Sequence, residues 1–234
     1  MQRRQALVAT GGVLAIAGCT WTDRSTEDHQ STGEDTAETA SADISSSTVV
    51  AAPYRPPAGV DVPWIRLEIT NEATAPHGRL EVVSTVDSTT EAAVESHQRF
   101  VSYVPPETTL RYYVRTNLEF DEFDDVTTDI TDATPQIDST QLEPTVERTN
   151  FSAGSSLVSV TGELEVDATE LSRLFVVALV YDEEGQFRGT GTDIKTDPNL
   201  SAPIEFNADS DGFRTPVGNA QPASYEILAF DGLP

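Results

Sequence analysis

The chain is poor in the residue types that carry much of protein chemistry. Its 234 residues include one cysteine, three histidines and only 14 lysines and arginines against 39 aspartates and glutamates. Because no cysteine follows Cys19, the remaining chain has no disulfide. The net charge of -25 disfavours nucleic acid as a partner, since phosphates bind to basic patches.

The scarcity of basic side chains extends to lysine, which occurs once, at Lys195. An acidic surface with this charge repels itself at low ionic strength. Molar salt shortens the screening length to about 3 Å and removes most of that repulsion. We therefore expect a halophilic protein, with an ordinary acidic secreted protein as the alternative.

The first apolar run, residues 6–17, is shorter than the roughly 20 residues of a membrane-spanning helix. A charged start, a short apolar stretch and small residues before a cut site predict a signal peptide over residues 1–18. The motif residues are Arg3, Arg4, Ile16, Ala17, Gly18 and Cys19. This arrangement resembles the signals of twin-arginine-exported haloarchaeal lipoproteins. The resemblance implies lipid attachment at Cys19 and a location on the extracellular face of the cell membrane.

Residues 19–48 then follow with almost no apolar side chains to bury. Such a segment cannot repay the entropy of ordering, which predicts a disordered tether between the anchor and the folded part. A flexible coil of this length has a reach of roughly 30 Å.

From residue 49 onward, apolar and polar residues alternate with period two, which predicts an all-β fold of antiparallel sheets. The alternating segments are 64–69, 80–86, 100–104, 110–114, 126–130, 157–160, 174–181, 190–194, 204–206 and 225–230. An offset of about 94 residues superposes the two series, placing Leu80 on Leu174 and Leu110 on Ile204. We expect an internal repeat, or else convergence on one pattern. The predicted domains are two tandem immunoglobulin-like β-sandwiches, at 49–137 and 144–234.

The second half is similar to the FxLyD family of small immunoglobulin-like domains. The stretches that carry the similarity are 160–164, 179–185, 189–191 and 203–206. Asp182 and Gly185 within them also have the chemistry of a hairpin turn. The resemblance implies a binding or scaffolding module outside the cell.

One strand of the second half is apolar on both faces, whereas antiparallel sandwiches usually leave one face wet. A contiguous exposed apolar row predicts a covered surface. We expect this row to dock on the first domain or on a protein partner, unless a bulge or a loop covers it. The row consists of Phe175, Val177, Leu179 and Tyr181.

Other motifs carry weaker signals. Asn207, Asp209 and Asp211 fit the first half of a calcium loop, but Gly218 stands where its bidentate glutamate belongs, so a solvated loop is the alternative. Asn150 and Asn199 begin N-glycosylation sequons. His77, between proline and glycine, is expected in a surface turn.

The sequence contains no nucleophile elbow, phosphate loop or zinc-protease motif. We therefore expect no catalytic residues and no cofactor. The expectation is a lipid-anchored surface protein with a binding or scaffolding role toward an unidentified protein partner. The alternatives are an accessory lipoprotein that captures a solute, or a hydrolase with dispersed active-site residues.

Overall fold

A computed structural model of the protein describes residues 41–51, 62–154, 157–211, 215–216 and 219–234, with backbone alone for 43–51 and 211. The predicted signal residues Arg3, Arg4, Ile16, Ala17, Gly18 and Cys19 lie outside these ranges, as do residues 20–40 of the predicted tether. The described residues form an all-β fold of antiparallel sheets and contain no helix. The described residues therefore include no helix that could span a membrane.

Six strands form the first half of the fold. They are β1 (Ala42–Ala51), β2 (Pro63–Asn71), β3 (Leu80–Ser88), β4 (Glu95–Val101), β5 (Thr108–Arg115) and β6 (Phe123–Ala133). Two antiparallel three-stranded sheets result, with orders β1-β2-β5 and β4-β3-β6. In β2, Ile65, Leu67 and Ile69 are fully buried while the residues between them are partly exposed, as the period-two pattern requires.

The second half contributes one larger sheet. Its strands are β7 (Gln141–Leu142), β8 (Pro144–Ala153), β9 (Leu157–Val166), β10 (Arg173–Asp182), β11 (Phe187–Thr196), β12 (Ile204–Asp211) and β13 (Pro222–Phe230). They follow the order β7-β13-β10-β11-β12-β9-β8. The predicted hairpin after β10 is confirmed, because Asp182 Oδ1 accepts the N–H groups of Glu184 and Gln186 at 3.0 and 2.9 Å. Gly185 closes this turn with a φ of 77°.

Strand pairing repeats between the halves. The order β1-β2-β5 corresponds to β8-β9-β12, and β4-β3-β6 corresponds to β11-β10-β13. In the second half these two groups of strands belong to one sheet, which the pair Thr192 and Asp209 of β11 and β12 makes continuous. Gly191 permits this close approach, because a Cβ at that position would lie 2.6 Å from the Ala208 carbonyl oxygen.

The halves share a hydrophobic core. Inward residues of β2, β3 and β5 pack in one cluster with Phe175, Val177 and Leu179 of β10 and with Leu228 and Phe230 of β13. A second cluster lies on the opposite face of the large sheet, around Val176 and Phe206. Phe151 of β8 stacks on Tyr225 of β13 with ring centroids 5.4 Å apart, so the large sheet folds over this second core. The described residues from 41 onward accordingly belong to one compact unit.

Several segments differ from the sequence-based expectation, among them β8, which none of the alternating segments predicted. Residues 42–48, assigned to the tether, form part of β1, which pairs along β2. Backbone hydrogen bonds to a neighbouring strand order such a segment without requiring apolar side chains. The strand expected at 100–104 instead spans Glu95–Val101, because the Ser102 N–H bonds to Thr190 Oγ1 and Val104 pairs with His77. Strand β12 extends to Asp211, through the expected loop.

Candidate functional site

The apolar row predicted for docking is covered by the chain's own first half. Phe175, Val177 and Leu179 are 4%, 0% and 2% exposed within the shared core. Tyr181 packs against the edge of the same cluster, with its ring centroid 5.7 Å from that of Phe187. The row is thus covered by β2, β3 and β5 of the first half, which is the first of the two docking alternatives, and it is not exposed to a protein partner.

A polar seam runs beside this apolar contact. Strand β5 is an edge strand, and the carbonyl groups of its free edge need donors. Gln186 Nε2 donates to the Thr109 carbonyl, and Arg188 Nε donates to the Arg111 carbonyl at 2.8 Å. Two side chains of the second half therefore donate hydrogen bonds to alternate carbonyl groups on the edge strand of the first-half sheet.

Among the residues that the structure describes, Arg188 is the largest fully buried side chain, with 1% exposure. Its Nη1 lies 3.4 Å from Asp182 Oδ2 and donates to the Ala220 carbonyl at 3.0 Å. Its Nη2 donates to Thr215 Oγ1 at 3.0 Å, and its guanidinium carbon lies 5.0 Å from the ring centroid of Tyr113. Burial lowers the pKa of Arg188, while the Asp182 carboxylate acts in the opposite direction. These contacts compensate the buried charge, and those with Arg111 and Tyr113 join the second half to the first.

The seam ends in a cluster of hydroxyl groups. The Ser102 N–H donates to Thr190 Oγ1 at 3.1 Å. Ser102 Oγ lies 3.1 Å from Thr190 Oγ1 and 2.7 Å from Thr192 Oγ1. Beyond this cluster the two halves separate and a groove opens between β4 and the strands β11 and β12.

We call this opening the inter-half groove, and its volume is about 330 Å³, within the usual range for small-ligand sites. Both halves supply its walls, with hydroxyl, amide, guanidinium, carboxylate and phenyl groups. The lining residues are Gln98, Arg99, Phe100, Ser102, Thr190, Thr192, Asp209 and Ser210. Arg99 spans the groove, since its Nη2 donates to Ser210 Oγ at 3.5 Å.

Phe100 projects outward at the groove although it belongs to a regular strand. Its neighbour Val101 is fully buried, so strand alternation turns Phe100 to the opposite face. The side chain is 52% exposed. The guanidinium carbon of Arg79 lies 5.9 Å from the centre of its ring, and Arg79 is itself bonded to Asp132 at 2.8 Å. The ring is thus held on one side and open to solvent over about half its area.

The calcium candidates do not form a loop. Asn207 and Asp209 lie in β12, where Asp209 pairs with Ser159 and Asp211 with Leu157. Asn207 Nδ2 donates to Asp209 Oδ2 at 2.8 Å, so the two candidate ligands bond to each other. Both the calcium-loop and solvated-loop expectations are therefore corrected by an extended strand. In the described part of the chain, no three or more His, Cys, Asp or Glu side chains are grouped to hold a metal ion.

The two glycosylation candidates lie in different settings. Asn150 is exposed in β8, opposite Thr161 of β9. Asn199 is exposed in the connection after β11, and its Oδ1 accepts the Ser201 N–H at 3.1 Å. Asn199 also borders a depression of about 390 Å³ beside Lys195 and Glu205. Attachment of sugar at either site stays a prediction.

The two described histidines bond to groups outside the hydroxyl cluster. His77 is 2% exposed, and its Nδ1 bonds to the Gly78 carbonyl at 3.0 Å, which corrects the expected surface turn. Backbone pairing with Val104 draws it inward. His97 Nε2 lies 2.9 Å from Glu95 Oε2.

Sequence reasoning did not identify the inter-half groove. A strand containing Phe100 was predicted, but Phe100 and Val101 are both apolar, so the sequence did not indicate which of the two faces outward. No signal exists for the hydroxyl cluster either, because Ser102 and Thr192 are 90 residues apart.

Comparison of the chain with protein-family models, with curated proteins and with solved structures finds no match. The resemblances to haloarchaeal lipoproteins and to the FxLyD family therefore stay predictions from the residues that carry them.

Proposed function

We propose that the protein is an exported, lipid-anchored and non-catalytic binding protein whose ligand occupies the inter-half groove. The single observation that carries the proposal is the groove itself, which both halves build and which displays an exposed phenyl ring beside hydrogen-bonding groups. Sites for small ligands commonly combine a nonpolar surface with a few converging polar groups.

The hydroxyl contacts favour binding over catalysis. A serine or threonine nucleophile needs a base within hydrogen-bond reach. The hydroxyl of Ser102 instead contacts the hydroxyls of Thr190 and Thr192. These groups fix the groove wall and offer polar contacts to a ligand.

The finer fold assignment belongs to the same proposal. We infer that each half is an immunoglobulin-like sandwich and that the two form a tandem. The repeated pairing β1-β2-β5 with β4-β3-β6, and β8-β9-β12 with β11-β10-β13, supports this assignment. A binding site between such units agrees with the module role that the FxLyD resemblance implies.

The groove can be tested by photocrosslinking in native membranes. A benzophenone amino acid replaces Phe100 in one variant of the full chain and the exposed Phe120 (40% exposed) in a matched control. We expect intact-mass analysis to find a ligand adduct with the first variant alone. Equal adduct yields from both positions, or none from either, would contradict a ligand site in the groove.

The anchor requires a separate test. Cys19→Ser removes the thiol that the lipid would alkylate, whereas Ser159→Ala, at a partly exposed position, leaves it intact. We expect the first variant to move from the membrane fraction to the soluble fraction and the second to stay with the membrane. If both variants fractionate with the membrane, lipid at Cys19 does not hold the protein there.

A further inference from the structure

The chemistry of the inter-half groove narrows the class of its ligand. Its wall offers donors from Arg99 and Gln98, acceptors from the Asp209 carboxylate, and hydroxyls such as Thr192 that do both. A ligand that satisfies such a mixture must itself donate and accept many hydrogen bonds. A polyhydroxylated molecule meets this requirement.

The exposed ring of Phe100 adds a nonpolar contact to this polar wall. An aromatic face is flat, weakly negative and nonpolar, so it packs against the C–H groups on one face of a sugar ring. Arg79 contacts the phenyl ring at 5.9 Å and fixes its position without covering it. Stacking on Phe100 and hydrogen bonding to Asp209 together match the nonpolar face of a sugar ring and the hydroxyl groups around its edge.

The polar surface continues beyond the groove across the large sheet. Thr192 pairs with Asp209, Asp209 with Ser159, and Ser159 with Ser152, so all four side chains share one sheet face. Ser159, Asp209 and Ser152 are exposed or partly exposed. With strands about 4.8 Å apart, this row extends about 14 Å. Such a row accommodates an oligosaccharide as well as a single sugar.

The negative charge of the groove wall and of the whole chain favours a neutral ligand over an anionic one. Asp209 places a carboxylate in the groove wall, and the chain has a net charge of -25. An anionic ligand would be repelled by both at low salt and by Asp209 at molar salt, where the net charge is screened, with Arg99 as the cationic side chain among the lining residues. A neutral ligand carries no such cost.

We propose that the inter-half groove binds a neutral carbohydrate chain, stacked on Phe100 and hydrogen-bonded to Thr192 and Asp209. The inference rests on the proposed binding function and names its ligand class.

The test measures binding of the purified full chain to immobilised oligosaccharides. One series consists of neutral glucose-, mannose-, galactose- and N-acetylglucosamine-based chains, and the other of matched uronic acid and sulfated chains. We expect binding to a neutral chain that persists in molar salt, because screening weakens contacts between charges and leaves stacking in place.

Variants assign that binding to the groove. Phe100→Ala should weaken it about tenfold, whereas Phe100→Trp retains it. Asp209→Ala should also weaken it, and Phe120→Ala, which removes an exposed ring elsewhere, should leave it unchanged. Unfolding midpoints of all four variants should stay close to that of the parent, since Asp209 is exposed and Phe100 and Phe120 are 52% and 40% exposed.

Binding to the acidic series alone would overturn the inference. So would neutral binding that Phe100→Ala and Asp209→Ala leave intact. If neither series binds while the benzophenone at position 100 still acquires a ligand, the carbohydrate assignment fails and the proposed function stands. If neither series binds and no adduct forms, both fail.

Discussion

Arg188 illustrates how one buried charge can connect two parts of a fold. Burying a cation costs several kcal/mol unless a counter-ion and hydrogen bonds compensate for lost water. Here Asp182 supplies the charge, and the carbonyls of Arg111 and Ala220 accept two of the N–H groups. Removing the guanidinium would leave a buried carboxylate without its cation and an edge carbonyl without its donor.

We therefore expect Arg188→Met to lower the free energy of unfolding by about 3–5 kcal/mol, as measured by urea denaturation at fixed salt. Arg188→Lys should also destabilise, because an ammonium cannot reproduce the planar fork of donors. In the matched control, Arg148→Met removes a cation that is 69% exposed and pairs with Glu163, and the change should stay within about 1 kcal/mol. Equal stability of Arg188→Met and the parent would show that the buried pair does not hold the seam.

Tyr181 makes stability depend on alkaline pH. Burial raises the pKa of Tyr181 from its ordinary value of 10.0 to about 12, with the nearby Glu226 charge acting in the same direction. Burial and Glu226 also raise the pKa of Tyr103. The unfolded chain therefore loses these protons first, and stability that is complete below pH 10 falls as the pH rises toward 12.

The urea midpoint measured between pH 9 and 12 should accordingly decline. Tyr181→Phe should flatten part of this decline, and Glu226→Gln should shift tyrosinate absorbance to lower pH by removing the nearby negative charge. A decline of the same steepness in Tyr181→Phe would exclude Tyr181 as its source.

At the scale of elements, the apolar row of β10 carries the contact between the halves. Val177 is fully buried among side chains from both halves. Val177→Asp would place an unpaired charge there and should cost at least about 3 kcal/mol of unfolding free energy. Ile194→Asp is the matched control, because Ile194 lies on the neighbouring strand, opposite Phe175, and is 53% exposed.

The control should change stability by about 0.5 kcal/mol or less. Circular dichroism during urea unfolding measures both variants. Similar losses in the two would mean that the row contributes no more than an exposed position.

Alternation predicted most strands because burial on one face repeats every second residue. It placed β2 and β10 closely, and it detected the 94-residue offset that the strand pairing now parallels. It missed β8, where exposed polar residues dominate, and most of β1, where backbone pairing with β2 orders the segment. Pairing partners far apart in the chain leave no periodic signal in a single segment.

The candidate site was less predictable than the fold for a related reason. Exposed polar residues such as Thr192 and Asp209 are solvated by default, so their types do not mark them as neighbours of Phe100. Their proximity arises from the packing of one half on the other. The double-sided apolar strand did indicate a covered surface, but its residues could not specify which part of the molecule covers it.

At the scale of the molecule, the net charge of -25 should make stability depend on salt. Screening lengths fall from about 10 Å at 0.1 M to about 3 Å at 1 M, so repulsion among surface carboxylates weakens steeply. We expect the thermal midpoint to rise through this range in KCl. Sucrose of matched osmolality, which excludes itself from protein surfaces without screening charge, should raise it less. A flat response to KCl would favour an ordinary acidic protein over a halophilic one.

The shared core should also make the described halves unfold together. Separating them would expose Phe175, Val177 and Leu179 and would strip Arg188 of its bond to Arg111. We therefore expect one cooperative transition, with amides of β3 and β10 exchanging hydrogen at the same free energy in intermediate urea. Val177→Asp should separate the two exchange energies, whereas Ile194→Asp should keep them equal. Hydrogen exchange followed by mass spectrometry distinguishes these outcomes, and two transitions in the parent chain would mean that the interface contributes too little to couple the halves.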